Sequence, residues 1–355
     1  MKSLLRTISA SLLAAGMLCM LLLPPAEKAH AAGLWQSLDD GLDIATFAIF
    51  TPPSANASMV IADTPAGRPY EHTAGQTPDT TSDTTSPRSS AHTPSQITGL
   101  DNPLVILRID PRHYEFLLLS HSEQGHSLSP FQWASQHGLS AVINASMYLP
   151  DAKTSTGYMR NGDHVNNDFI HKRFGSFFVA SPFPDGRVFF REKEQPADED
   201  TGESSPLPEG QTGSFEGEMP SATLLDRQTD DWNPLIDRYA VVVQNFRMFN
   251  AARMPLWPED GNAFSIAAVA LDAQGNLLFI HCRTPLSVYN LTRMLLDLPL
   301  RIQKAMYVEG GPQASLHIQA GNIRRTWTGR YASDFWGGVQ TERPLPNVIG
   351  ARKRK

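Results

Sequence analysis

The sequence predicts a single α+β (mixed α/β) domain, with a mixed, largely antiparallel β-sheet core flanked by helices and interrupted by disordered insertions. Three observations predict it. Short apolar runs bounded by turn residues recur through residues 104–350, the pattern of strands joined by tight connections. Two stretches carry helix caps. Ser129-Pro-Phe-Gln132 is a capping box with proline at the first helical position, and Ser287 precedes an apolar face of Val288, Leu291, Leu295 and Leu298. The order strand, helix, strand over residues 277–308 suggests a βαβ unit.

Taken in order, residues 1–31 read as a secretory signal peptide. Lys2 and Arg6 supply the positive start, residues 12–23 an apolar run too short to span a bilayer, and Ala29-His-Ala31 a cleavage motif before Ala32. The mature chain is therefore expected to be exported, to a periplasm or to the medium; an uncleaved N-terminal anchor is the competing reading. Cys19 lacks the small preceding residue of a lipobox and leaves with the signal. Only Cys282 then remains, so no internal disulfide is expected, and a chain of 355 residues must be held by its core. The net charge of −6 excludes bulk attraction to nucleic acid or to an anionic membrane.

Residues 32–52 hold enough apolar side chains for a first strand or helix. Residues 53–98 are rich in Thr, Ser and Pro, and residues 195–220 are acidic and rich in Gly, Pro and Ser. Such compositions bury too little apolar surface to offset ordering entropy, so both read as disordered insertions in a domain of residues 99–351.

The folded body opens with Val105-Ile-Leu-Arg-Ile109 and Tyr114-Glu-Phe-Leu-Leu-Leu119, strands about Asp110-Pro-Arg-His113 that read as a hairpin. The capped helix runs to His137 and stops at Gly138. A strand over 140–143 delivers Asn144-Ala-Ser-Met-Tyr148. Asn161-Gly162 marks a turn. Strands follow at 176–180 and, after Asp185-Gly186, at 187–190. The strand at 240–243 ends in Gln244-Asn-Phe-Arg247. Residues 264–271 and 277–282 form a hairpin about Asp272-Ala-Gln-Gly275, and Pro299 ends the second helix. Pro344-Leu-Pro-Asn-Val-Ile-Gly350 reads as a final edge strand.

Chemistry concentrates at the ends of these strands. Residues 305–308 form an apolar strand that ends in Glu309, followed at once by Gly310 and Gly311. Two glycines permit positive φ and close approach of backbone N–H groups to an anion or a sugar oxygen. Other strands end in Asn144, Ser146 and Tyr148, in Gln244, Asn245 and Arg247, and in His281 with Arg283. A loop cluster adds Gly157, Arg160, His164, Asn166, His171 and Lys172. Ligands tend to bind where strand ends converge. Each residue also has an ordinary reading: Asn144 satisfies a turn, Arg160 and Arg247 are surface charges, and His281 is a core histidine. No phosphate loop, nucleophile elbow, H-E-x-x-H or cysteine cluster is present, so no zinc site or cofactor is expected. A divalent cation on Asp163 or Asp168 is the weakest of the alternatives.

Ala141-Val-Ile-Asn-Ala-Ser-Met-Tyr148, Thr156-Gly-Tyr-Met-Arg-Asn-Gly162, Val308-Glu-Gly-Gly311 and Pro346-Asn-Val-Ile-Gly350 together resemble the phosphodiester glycosidase family. The family usually reads Asp-Gly-Gly where this chain has Glu309-Gly310-Gly311. Its Ser-Gly-Pro after a Gln-ending strand is replaced by Gln244-Asn-Phe-Arg247. The resemblance implies hydrolysis of a sugar-1-phosphodiester at the glycosidic C–O bond, with a carbohydrate or glycan phosphodiester as partner. Catalysis would fall to Glu309 as base or nucleophile-side carboxylate, with Arg160, His164 and Arg247 on the phosphate. Asn144, Tyr148, Gly157, Asn166, Gln244, Asn245, His281, Arg283 and the amides of Gly310 and Gly311 would hold substrate. The competing classes are a non-catalytic envelope protein that binds glycan, and a phosphodiesterase that cuts P–O and needs a metal.

Overall fold

Strands dominate the structure because most of the apolar runs are short and rich in Val, Ile, Leu and Phe. A computed structural model of the chain describes residues 35–49, 103–191, 219–332 and 342–355. The chain divides into two units, Met1–Ala48 with Asn102–Lys355, and Ile49–Asp101; the described strands and helices all belong to the first. The signal peptide expected over 1–31 and the insertion expected over 53–98 lie outside the described residues, as does all but the end of the one expected over 195–220.

From the N-terminus, β1 (Gln36–Asp39), β2 (Leu42–Ala48), β3 (Pro103–Ile109) and β4 (Tyr114–Ser120) precede the helices α1 (His121–Gln124) and α2 (Pro130–His137). Next come β5 (Ala141–Asn144), β6 (Met159–Asn161), β7 (His164–Asn167), β8 (Ser176–Pro182) and β9 (Ala222–Asp226), then α3 (Trp232–Ile236). The C-terminal part runs β10 (Tyr239–Arg247), β11 (Phe264–Asp272), β12 (Leu277–Leu286), α4 (Val288–Asp297), β13 (Ile302–Gly310), β14 (Ser315–Ala320), β15 (Ile323–Thr328) and β16 (Asn347–Lys353).

These strands build two sheets. The larger is ordered β1-β2-β3-β12-β11-β13-β10-β6-β7, with β8 on β10 and β9 on β8; the smaller is ordered β15-β14-β5-β16-β4. Their inner faces share one core. Val105, Phe279, Val269, Met306 and Phe178 from the large sheet meet Phe116, Ile143, Leu316 and Ile349 from the small one. The Phe116 ring lies edge-on to Phe178 at 5.9 Å and to Phe279 at 6.1 Å, so one side chain ties β4 to two strands of the opposite sheet. Helix α2 covers the outer face of the small sheet through Trp133, whose indole N–H donates to the Leu345 carbonyl at 3.0 Å. The fold is thus more sheet-rich than the expected mixed class. No helix among the described residues is long and apolar enough to cross a membrane.

Several local expectations hold. The capping box at Ser129 and Gln132 forms, and Gly138 ends α2 in the left-handed region. Ser287 caps α4 by accepting from the Asn290 N–H at 3.2 Å. β12 and β13 both pair antiparallel with β11, so they run parallel to each other with β11 between them, joined through α4.

Others are corrected. β3 and β4 are not a hairpin. β3 pairs with β2 and β12 in the large sheet, and β4 pairs with β16 in the small one. The turn between them is a corner, fixed because the Asp110 N–H donates to Gly41 O and the Asp110 carboxylate binds Arg112. β16 is not an edge, since it lies between β4 and β5. Residues 187–190 form no strand: the Phe189 N–H donates to Asp237 O at 2.7 Å and the ring turns onto a buried arginine.

Candidate functional site

The site is built around one irregularity in β13. Against β11, Ala267 faces Glu309 but Ala268 faces Tyr307, so Val308 is an extra residue, a β-bulge. Residues directly opposite on an antiparallel pair share a face. Glu309 therefore joins a row with Ala267, His281 and Val105, of which Ala267 and Val105 belong to the inter-sheet core. The bulge turns a carboxyl toward the interior that strict alternation would have sent outward.

Glu309 is 8% exposed, and its Oε1 accepts from the Gly310 N–H at 2.9 Å. Burial disfavours the charged form and pushes its pKa up to about 8, while the Gly310 bond pulls weakly the other way. At neutral pH this carboxyl carries its proton. Its electrostatic neighbours are tyrosines. Burial first, and the Glu309 charge second, raise the hydroxyls of both Tyr148 and Tyr307 above the ordinary phenol range. Tyr331 acts on both in the same direction, and the Tyr148 hydroxyl bonds the Gln313 side chain, with the Arg343 charge close by.

The two glycines are needed for contact, not only for a turn. A Cβ on Gly310 would lie 2.7 Å from the Phe264 ring and would also meet the Tyr307 hydroxyl. Gly311 has φ +66°, and a Cβ there would lie 2.7 Å from the Tyr331 ring. The loop after them is clamped by three bonds from two side chains. Asn144 donates to Gln313 O at 3.0 Å and accepts from Ser315 N at 2.7 Å. His281 Nε2 bonds Ala314 O at 3.1 Å.

Of the residues expected to act, the structure brings together Glu309, Tyr148, Gly310 and Gly311, with Asn144 as the clamp. Asn245 is buried beside them, its amide donating to Val308 O at 3.4 Å and its oxygen accepting from Phe246 N. Arg247 stands at the end of β10, paired with Asp226 at 2.7 Å. Arg283 follows His281 on β12, and its carbonyl accepts from Ser265 Oγ at 2.6 Å.

Other expected residues occupy different positions. Arg160 is wholly buried: it donates to the Tyr158 hydroxyl and to the carbonyls of Gly162, Ile236 and Tyr239, and stacks on Phe189 at 4.0 Å. Its guanidinium has no face left for a phosphate. Gln244 spends both ends of its amide on the 157–174 loop, accepting from Tyr158 N and His171 N and donating to the carbonyls of His171 and Phe174. Gly157 is the close approach that this packing demands, since a Cβ would lie 2.7 Å from the Phe174 ring. Asn166 ties Ser155 N, Ser122 Oγ and Lys153 O together. His164 bonds Ser122 Oγ of α1 at 2.9 Å, outside the Glu309 cluster. His281 is fully buried, and burial pushes its pKa down to about 4, so it holds the loop as a neutral imidazole. Asp163 pairs with Arg187, and Asp168 is exposed. Among the described residues no three His, Cys, Asp or Glu side chains group as a metal site.

Sequence reading missed Tyr307, Tyr331, Gln313 and Arg343. Tyr307 lies in the strand that ends at Glu309, but the bulge at Val308 puts the two residues opposite neighbouring positions of β11, so alternation alone does not announce their proximity. No local pattern marks the other three.

A phosphodiester glycosidase family model matches residues 137–352, more than half of the chain. The chain belongs to the phosphodiester glycosidase family. The matched span contains every residue of the Glu309 cluster. No curated protein matches the chain. Among solved structures, it is similar to the catalytic domain of zebrafish N-acetylglucosamine-1-phosphodiester α-N-acetylglucosaminidase auto-inhibited by its pro-peptide. There the identity is 10%, the TM-score 0.45, and the match covers 71% of this chain and 78% of that one. A hypothetical protein from Synechocystis matches at 10% identity and TM-score 0.42, over 71% of this chain and 59% of that one. A protein from Burkholderia pseudomallei K96243 matches at 10% identity and TM-score 0.36, over 72% and 75%.

Proposed function

We propose that this chain hydrolyses a sugar-1-phosphodiester at the glycosidic C–O bond, with Glu309 supplying the proton. The observation that carries the reading is the buried carboxyl at the bulged end of β13, beside Tyr148 and Tyr307 and within the span the family model matches, where burial favours its protonated form. A base would have to be ionised at neutral pH. Burial makes Glu309 an acid there, so the expected base role gives way to a donor role.

In the proposed step, water attacks the anomeric carbon as the C–O bond to phosphate breaks. The electron pair of that bond leaves on the phosphate oxygen, which takes the Glu309 proton. The proton lost by water returns to the carboxylate. The products are the free sugar and a phosphate monoester. The monoester is a good leaving group, with a second pKa of about 6, so one acid suffices where ordinary glycosidases use two carboxylates. Tyr148, held by Gln313, donates toward the departing oxygens, and Arg343 beside it adds positive charge.

The test is turnover of a panel of sugar-1-phosphodiesters by the purified chain and by Glu309→Gln. Release of free sugar by the first and its loss in the folded second supports the reading. Equal rates sink the assignment, and release from no substrate favours glycan binding without catalysis.

A further inference from the structure

The mechanism uses the inner end of the site and leaves a lined groove beside it. One cavity of about 550 Å³ is bordered by Met147, Leu149, Phe169, Phe174, Phe246 and Arg173. A second of about 290 Å³ shares Phe246 and Arg173 and continues past Arg247 to Trp257 and Leu256. Their floor is a relay of rings. Successive centroids from Phe169 through His171, Phe174, Phe246 and Trp257 to Tyr307 lie 4.0–5.7 Å apart. The relay ends on Tyr307, a neighbour of Glu309, while Met147 adjoins Tyr148 on the other side. Leu149, Phe169 and Leu256 are between 41% and 48% exposed, which is unusual for large apolar groups clustered at one place.

Charge identifies the occupant. Arg173 is exposed, borders both cavities, and pairs with no carboxylate among the described residues. Its cation therefore stands between two apolar stretches, not at one end of a single one. An acyl chain with one anionic head would place its charge at a terminus. A glycan with phosphate between sugar residues presents apolar ring faces on both sides of each charge, and aromatic rings suit those faces.

We propose that this groove is an extended subsite for an anionic glycan, with sugar rings on Phe246 and Trp257 and a phosphodiester on Arg173. It rests on the proposed function in one respect, that the glycan continues from the bond cleaved at Glu309.

Binding by the full chain to phosphomannan and to neutral mannan tests it, read by affinity electrophoresis and by Trp fluorescence, beside turnover of a small sugar-1-phosphodiester. Phosphomannan should bind at least about tenfold more tightly than neutral mannan, equivalent to ~1.4 kcal/mol. Arg173→Glu, a surface change that spares the fold, should erase that preference and leave small-substrate turnover unchanged. Trp257→Ala should weaken phosphomannan binding by about tenfold. The subsite is overturned if folded wild type does not bind phosphomannan, if Arg173→Glu binds it equally, or if dodecyl phosphate competes better than the glycan. Absence of turnover with glycan binding intact would count against the proposed hydrolysis alone.

Discussion

Asn144 and Ser315 are joined by a 2.7 Å bond from the Ser315 N–H to the Asn144 side-chain oxygen, which makes the end of β5 the anchor of the loop after Glu309. The same side chain donates to Gln313 O, and Gln313 in turn holds Tyr148. A residue that reads as a substrate ligand in the sequence thus acts through the loop it holds.

Asn144→Ala should therefore cost stability and activity together. It leaves the buried Ser315 N–H without its partner, at about 1–3 kcal/mol, and the Gln313 carbonyl with the Ser315 hydroxyl alone. Urea unfolding measures the first effect. Turnover should fall mainly through kcat, because the substrate-binding groove is unchanged while Tyr148 loses its hold.

Arg160 separates a structural role from a catalytic one. Arg160→Met removes the donors of three backbone carbonyls and a tyrosine hydroxyl inside the protein, and should destabilise by about 3 kcal/mol or more. At a temperature where the variant is folded, its kcat per folded molecule should match wild type. A large kcat loss in the folded variant would restore Arg160 to the reaction.

Glu309 makes stability depend on pH in a stated direction. Its folded pKa, about 8, is raised from an ordinary value of 4.5. Between those values the folded state binds more protons than the unfolded one, so its contribution falls as pH rises through that window. Glu309→Gln should flatten this slope and be the more stable chain at pH 8–9, as measured by denaturant midpoints across pH. The kcat/KM of wild type should also decline with an apparent pKa near 8, the falling limb of a required acid.

Gly311 should tolerate no side chain. Its φ of +66° is in the left-handed region, and a methyl group would press on the Tyr331 ring. Gly311→Ala should lose about 1–3 kcal/mol and most of the activity, whereas Gly162→Ala, with φ +59° but open space around it, should lose stability alone.

How much of this was legible is clearest residue by residue. Caps and turns were, because they are local: Ser129, Gln132, Gly138 and Ser287 act within a few residues of themselves. The β11–β12 hairpin was, because Asp272 and Gly275 specify it. β14 was legible, because Leu316, Ile318 and Ala320 alternate with His317 and Gln319, yet it was not read; β15 was not legible, because Arg325 follows Arg324 and breaks its alternation. The corner at Asp110 and the interior place of β16 depend on which sheet each strand joins, which no local pattern encodes. The site divides the same way. Glu309 and its glycines announce themselves at a strand end. Whether Arg160 meets a phosphate or three carbonyls depends on residues 236 and 239, far along the chain.

Glycosidic cleavage of a sugar-1-phosphodiester is decided by running the reaction in oxygen-18 water and locating the label. Attack at the anomeric carbon puts the label in the anomeric hydroxyl of the released sugar and none in the phosphate monoester, and that is the expected result. Label in the phosphate would mean that the P–O bond is cut, and would contradict the proposed hydrolysis.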